Sequence, residues 1–205
     1  MYSLKELIET TMQLGMPACQ EKHLYQLAEL VDKSPKGGCL VECGVARGGS
    51  AAILLYQANK YKKKLYLCDS YEGFPKAGEE EKNNPVQFKE GDGKNYLTED
   101  LVRLNLNKCK LDYSSVTFVK GFFEKSMPKL AKTIEPISLL HFDGDYYKSA
   151  NDVLDNLMCK MMDNGIIVFH DYPWFHGIKK VVEERFKSTE IIIPNNEACY
   201  VMVKK

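Results

Sequence analysis

Cys39-Leu40-Val41-Glu42-Cys43-Gly44-Val45-Ala46-Arg47-Gly48-Gly49-Ser50 is an apolar run that enters a glycine-rich turn and continues into a helix-forming segment. A strand, a Gly-rich turn and a helix, in that order, are where doubly wound α/β folds hold a nucleotide-like ligand. The dinucleotide fingerprint would require glycine at 44, 46 and 49, and position 46 is Ala46. The missing glycine is the one that lets backbone approach a pyrophosphate. Glu42, at the strand end, would repel phosphate and suits a ligand with an ammonium or sulfonium charge. Asp69 ends the next apolar run, twenty positions beyond Gly49, at the spacing of an acid that accepts ribose hydroxyls. S-adenosylmethionine combines both cationic groups with an adenosine and carries no phosphate, so it is the ligand this pattern suits. The plainer reading of the same residues is a tight turn with Ser50 as a helix N-cap.

Outward from this stretch, short apolar runs alternate with longer periodic segments. Strands are expected at Cys39–Cys43, Lys64–Cys68, Ser115–Val119, Ile137–Phe142 and Ile166–Phe169. Helices are expected at Ser50–Asn59, Leu97–Asn107, Phe122–Ala131, Ala150–Met162 and Ile178–Phe186. The alternation predicts an α/β fold with a doubly wound, mostly parallel sheet. Ile191–Ile193 and Cys199–Val203 are too close for a helical crossover, so this last pair is expected to be antiparallel. Residues 1–36 read as an N-terminal helical extension, with Leu4, Leu7, Ile8 and Met12, then Leu24, Leu27, Ala28 and Val31, at helical spacing. Lys76–Asn95 holds Glu79-Glu80-Glu81, Asn83-Asn84-Pro85 and Gly91-Asp92-Gly93, and reads as a lid loop.

Composition bounds the rest. The chain of 205 residues suits a single domain, 1–205. It carries 28 basic and 28 acidic side chains, so its formal net charge is zero, which disfavours nucleic acid or an anionic membrane as the default partner. No apolar run approaches the length of a membrane span, and Lys5, Glu6 and Glu9 interrupt any signal-peptide core. The seven cysteines are odd in number and include no Cys-x-x-Cys pair. They read as reduced, mostly buried thiols, and the expected location is cytoplasmic.

Asp143 ends one strand and Asp171 follows the next, so both belong at the C-terminal edge of the sheet, where ligands of open α/β sheets bind. Two converging carboxylates suit a hard divalent cation, Mg²⁺ or Mn²⁺, that could hold vicinal substrate oxygens and lower a hydroxyl pKa. The competing reading makes Asp143 a helix-start acid and Asp171 a turn residue. His141 lies in a buried run and reads as a core histidine. Tyr172, Trp174, Phe175 and His176 could line an acceptor pocket or simply pack. Lys60, Lys62, Lys63 and Lys64 suit the negative end of a helix dipole.

Four motifs carry a resemblance. They are Val41–Ala51, Cys68-Asp69-Ser70-Tyr71-Glu72-Gly73-Phe74-Pro75, Gly121–Pro128 and Ile137–Tyr147. In this order, across residues 38 to about 187, the chain resembles the macrocin O-methyltransferase (TylF-type) family. The resemblance implies a Rossmann-like class I methyltransferase fold with a seven-stranded sheet, S-adenosylmethionine as cofactor and a divalent-metal site. It implies a cofactor site of Glu42, Gly44, Val45, Gly48, Gly49, Ser50, Asp69, Ser70, Gly121, Phe122 and Asp143, with Phe122 flanking the adenine. The metal ligands would be Asp143, His170 and Asp171.

The chain also departs from the family pattern. His170 stands where a second Asp is usual, and imidazole prefers transition metals to Mg²⁺. His170 could be a ligand or the general base, or the metal could be lost. Tyr146 stands where catechol-type relatives carry Lys, Lys148 lies two positions on, and the lid holds no His. The catalytic candidates are therefore His170 and Asp143. The expected activity is O-methylation of a small-molecule hydroxyl, sugar-type or another vicinal-hydroxyl acceptor, with a homodimer contact through the N-terminal helices. The alternatives are a metal-independent methyltransferase with His170 as base, a non-catalytic cofactor-binding protein and, more distantly, an NAD-dependent enzyme. Glu42, Asp69, Asp143, Asp145 and Asp171 would make an acidic cleft in a neutral chain.

Overall fold

Strands flanked by helices on both faces bury both sets of their alternating side chains, which is why they read as unbroken apolar runs. A computed structural model describes residues 2–187 and 189–205. Its elements, in order, are α1 (Leu4–Gln13), α2 (Glu21–Lys33), β1 (Cys39–Cys43), α3 (Gly49–Tyr61), β2 (Leu65–Asp69), α4 (Glu99–Lys108) and β3 (Val116–Lys120). There follow α5 (Phe123–Leu130), β4 (Ile137–Phe142), α6 (Tyr147–Leu157), β5 (Met161–His170), α7 (His176–Arg185), β6 (Ile191–Ile192) and β7 (Ala198–Met202). The seven strands lie in the order β3-β2-β1-β4-β5-β7-β6. The first five are parallel, whereas β7 runs antiparallel to both β5 and β6, as the short connection required. No helix among the described residues is long and apolar enough to cross a membrane.

Alternation along the strands divides the core in two. Leu40, Leu67, Leu139 and Val168 pack with Leu7, Leu24, Leu27, Ile53, Leu54 and Val102 of α1 to α4. Val41, Cys68, Leu140 and Ile167 pack with Met127, Val153, Leu157, Ile178 and Val182 of α5 to α7. The N-terminal helices therefore complete one of the two helical layers. Glu42, His141 and His170 share the strand parity of the first group, so they face the layer that holds α2.

One local expectation is corrected. The helix expected at Ala150–Met162 ends at Leu157; a 3-10 turn, Met158–Lys160, leads into β5, and Met161 already pairs with Ile137. Asn164, in the left-handed region at φ 57°, and Gly165 let the strand bulge between its two paired stretches. In the lysine run read as suiting a helix dipole, one member has a different role. Lys63 is buried, and its Nζ donates to Pro35 O, Gly37 O and Ser138 Oγ at 2.6–3.0 Å. All seven cysteines are free, and five are buried.

Candidate active site

Backbone geometry at the ends of the parallel strands makes the floor of the cleft. Gly44 has φ 91°, and a Cβ there would meet Asp143 O at 2.0 Å, so the turn after β1 and the end of β4 touch backbone to backbone. Gly48, in the left-handed region at φ 86°, is the N-cap of α3. Gly49 has a different cause: its Cβ would meet Pro17 Cα at 2.6 Å, so it is glycine for the packing of the α1–α2 connection.

A cavity of about 470 Å³ opens on this edge. Gly44, Ala46, Asp69, Ser70, Phe122 and Asp143 form one wall; Phe74, Pro75, Lys76, Gly78, Glu81 and Glu90 form the other. Of the residues expected at the cofactor, Gly44, Asp69, Ser70, Phe122 and Asp143 therefore meet at one cavity. Glu42, Val45, Gly48, Gly49, Ser50 and Gly121 support it without lining it, and His170 and Asp171 also lie outside its lining. Asp69 Oδ2 accepts from Val45 N at 2.8 Å and its Oδ1 from Tyr71 N at 2.9 Å, which fixes the carboxylate at the strand end. Glu42 is fully buried; burial raises its pKa, opposed by the hydrogen bond from His141, and Oε2 has no hydrogen-bond partner among the described residues.

The carboxylates of β4 and β5 do converge. Asp143, His170 and Asp171 place ligand-type atoms within 4.8 Å of one another. His170 Nδ1 lies 3.0 Å from Asp143 Oδ1 and 3.1 Å from Asp171 Oδ2, an ion pair shared by two oxygens rather than a linear hydrogen bond to either. Burial works against the charge on Asp143, but the His170 imidazolium prevails and holds its pKa at about 2. The same carboxylates, Asp143 first, overcome the burial of His170 and raise its pKa well above the usual histidine value.

Two residues were missed from sequence. Asp145 lines the cavity in the left-handed region at φ 61°, and burial, then Asp143 and Asp171, push its pKa well up. The signal was present in Asp143-Gly144-Asp145, but it was spent on the cleft's overall charge. His23, on α2, had no sequence signal beyond its place on an amphipathic face. It lies 1% exposed, with Nε2 3.4 Å from His141 Nε2, while His141 Nδ1 donates to Glu42 Oε1 at 3.1 Å. Tyr172 and Phe175 pack in the core, Trp174 is exposed, and none of the four residues 172, 174, 175 and 176 lines the cavity.

Residues 76–95, expected to form a lid, border the cavity and are tied down by their own polar side chains. Glu81, 3% exposed, accepts from Gly78 N through Oε2 and from Tyr147 N, at the start of α6, through Oε1, both at 2.8 Å. Asn84 Oδ1 accepts from His176 N, at the start of α7, at 2.9 Å. Phe74 and Phe88 stack with ring centroids 4.0 Å apart.

Comparison with known proteins identifies the family and the fold. A family model described as macrocin-O-methyltransferase (TylF) matches residues 13–198. A tetracenomycin-type 4'-O-methyltransferase from Streptomyces olivaceus, named as acting on 8-demethyl-8-(2,3-dimethoxy-alpha-L-rhamnosyl)-tetracenomycin-C, is 29% identical over 140 residues. That match covers 66% of this chain and 53% of the relative. Demethyldecarbamoylnovobiocin O-methyltransferase from Streptomyces niveus is 28% identical over 168 residues, 80% of this chain and 63% of the relative. The chain thus spans between about half and three fifths of these relatives' lengths. Among solved structures, the O-methyltransferase NovP superposes with a TM-score of 0.80 at 26% identity, covering 93% of this chain and 83% of its own. An O-methyltransferase from Bacillus cereus shares the fold at 15% identity and a TM-score of 0.64, covering 98% of this chain and 90% of its own.

Proposed function

Since the chain belongs to the macrocin O-methyltransferase (TylF) family, we propose that it is an S-adenosylmethionine-dependent O-methyltransferase acting on a hydroxyl of a small molecule, of the sugar or other vicinal-hydroxyl kind. The observation that carries this reading is the single cavity at the C-terminal sheet edge, where Gly44, Asp69, Phe122, Asp143 and Asp145 meet under the lid. The residues fit the cofactor. Gly44 leaves no room for a side chain, Asp69 offers a fixed carboxylate to ribose hydroxyls, and Phe122 offers a face to adenine. The unpartnered Glu42 Oε2, buried beneath the turn, suits the cationic methionine end. The bound cofactor supplies an electrophilic methyl group on sulfonium sulfur.

The chain's own work is to orient the acceptor hydroxyl and take its proton. Methyl transfer is an in-line displacement, so holding the oxygen on the methyl axis supplies much of the rate. Asp145 and Asp143 line the cavity, and Asp145, the carboxyl not paired with His170, is the base this geometry favours. Pro75, Phe74 and Glu81 from the lid side exclude water from the reacting atoms.

A divalent cation, Mg²⁺ or Mn²⁺, would be held by Asp143, Asp171 and His170, whose donor atoms have suitable number and spacing. A second reading rests on orientation. The His170 Nδ1–H group sits between the two carboxylates, where such a cation would sit, so the imidazole can supply the positive charge without metal.

Calorimetry with S-adenosylhomocysteine, together with an acceptor panel of vicinal-diol sugars read by mass spectrometry, tests the proposal. The expected result is cofactor binding and gain of one methyl group on an acceptor oxygen. Failure to bind S-adenosylhomocysteine would overturn it. Activity lost to chelator and restored by Mg²⁺ or Mn²⁺ selects the cation reading, and indifference to chelator selects the second.

A further inference from the structure

Three of the chain's four histidines converge at one place, and methyl transfer as described uses only one of them. The rings of His23 and His170 lie edge to face with centroids 4.8 Å apart. Their polar atoms are not hydrogen-bonded to each other: His23 Nδ1 and His170 Nε2 are both buried, in residues 1% and 6% exposed, and neither has a hydrogen-bond partner among the described residues. Glu197, immediately before β7, completes the group. One ligand-type atom from each of His23, His170 and Glu197 lies within 4.8 Å of the other two.

One assignment of ring protons leaves a lone pair on each of these two unpartnered nitrogens. With Glu42 ionised, its Oε1 accepts from His141 Nδ1, 3.1 Å away. His141 Nε2 is then the acceptor for His23 Nε2–H at 3.4 Å, which leaves the lone pair of His23 on Nδ1. On the other ring, the carboxylates of Asp143 and Asp171, 3.0 and 3.1 Å away, hold the proton of His170 on Nδ1. A cation binding at Nε2 would release the proton that His170 carries there. The two unpartnered ring nitrogens and the Glu197 carboxylate thus belong to one cluster of ligand-type groups. A ligating histidine whose other ring N–H is held by a carboxylate is the usual outer-shell arrangement of a metal site.

We propose that His23 Nδ1, His170 Nε2 and the Glu197 carboxylate form a site for a zinc-like divalent cation, separate from the carboxylate face of His170. Two imidazoles and one carboxylate suit Zn²⁺ or Co²⁺ rather than Mg²⁺. Bonds of about 2.0–2.2 Å would draw the ligand atoms closer together and leave a fourth position open to water or another ligand. A second cavity, of about 260 Å³, lies on the Glu197 side of the group, lined by Glu197 with Gln20, Lys22 and Pro194. Glu197 already accepts Gln20 N at 3.0 and 3.2 Å, so the carboxylate is held at the start of α2, three residues before His23. The bound ion would tie α2 to the ends of β5 and β7. The proposal does not depend on the methyltransferase reading.

The test is titration of the chelator-treated full chain with Co²⁺, read by the intense visible absorption of four-coordinate cobalt, with Zn²⁺ as competitor. One Co²⁺ per chain is expected, displaced by Zn²⁺, with affinity falling at least about tenfold in Glu197→Gln and in His23→Asn. Glu197→Gln is the deciding variant, since it preserves an acceptor for Gln20 N and leaves Asp143, His170 and Asp171 untouched. An ion held by that carboxylate triad would survive it. A four-coordinate spectrum that persists in Glu197→Gln, or no such spectrum in the parent chain, overturns the site while leaving cofactor binding and methyl transfer as separate questions.

Discussion

At the residue scale, Asp145 and Lys63 show what a sequence conceals. Asp143-Gly144-Asp145 displays two acids, but their different roles follow from position: Asp143 pairs with His170, whereas Asp145 turns into the cavity through a left-handed backbone. Asp145→Asn keeps the shape and removes the base. It should lower kcat by about 10²–10⁴ while leaving the affinity for S-adenosylhomocysteine nearly unchanged, which steady-state kinetics and calorimetry would show. Lys63 reads as one member of a basic run at a helix end, yet it donates to three acceptors that would otherwise lack it. Lys63→Met should cost about 2 kcal/mol of stability at pH 7 by denaturant unfolding, mainly through those stranded acceptors. Burial, then the nearby Lys36 charge, lowers the Lys63 pKa to about 8. Between that value and the higher pKa of the unfolded chain, the unfolded state binds more protons, so this group's contribution to stability rises with pH. The advantage of the parent chain over Lys63→Met should therefore grow from about pH 8 towards pH 10.

At the scale of elements, the parallel strands were readable because burial on both faces makes them continuous apolar runs, and Asp69 was readable because strand spacing places it. The start of β5 was not, because Met161 and Met162 continue the helical pattern of α6 and only pairing with β4 decides their state. The lid's architecture was also hidden. Residues 76–95 look like polar filler, but Glu81 and Asn84 cap two different helices of the main body. A charged acceptor to two backbone amides is worth about 1.5–3 kcal/mol per bond. Glu81→Ala should speed limited proteolysis within the lid by about tenfold or more, with little change in the unfolding midpoint of the whole chain. Equal cleavage rates in parent and variant would show that the lid is held elsewhere.

At the scale of the molecule, residues 1–36 were read as an extension, and the structure makes them half of a helical layer. Leu7, Ile8, Leu24, Leu27 and Val31 are essentially inaccessible, and they cover α3, whose residues Ala51–Leu55 are buried all round. Removing α1 and α2 would uncover that apolar surface together with Glu42 and His141. The truncated chain should be recovered as aggregate, or bind a hydrophobic dye strongly, instead of giving a cooperative unfolding transition. The neutral sum of charges was visible at once. The way His23, His141 and Glu42 share those charges under α2 was not, because it depends on which helix covers which strand end.

The reversed direction of β7 has one more consequence. Parallel strands present only their C-terminal ends to the cleft, but β7 offers its beginning, so Glu197 arrives beside His170 with Ala198 paired to that residue. Gln20 and Glu197, 177 positions apart, thereby meet at one edge. A ribosome must have made both before that edge can be assembled, and any chain interrupted earlier leaves it open. Closing that edge is thus a long-range event, which must await the meeting of segments 177 positions apart.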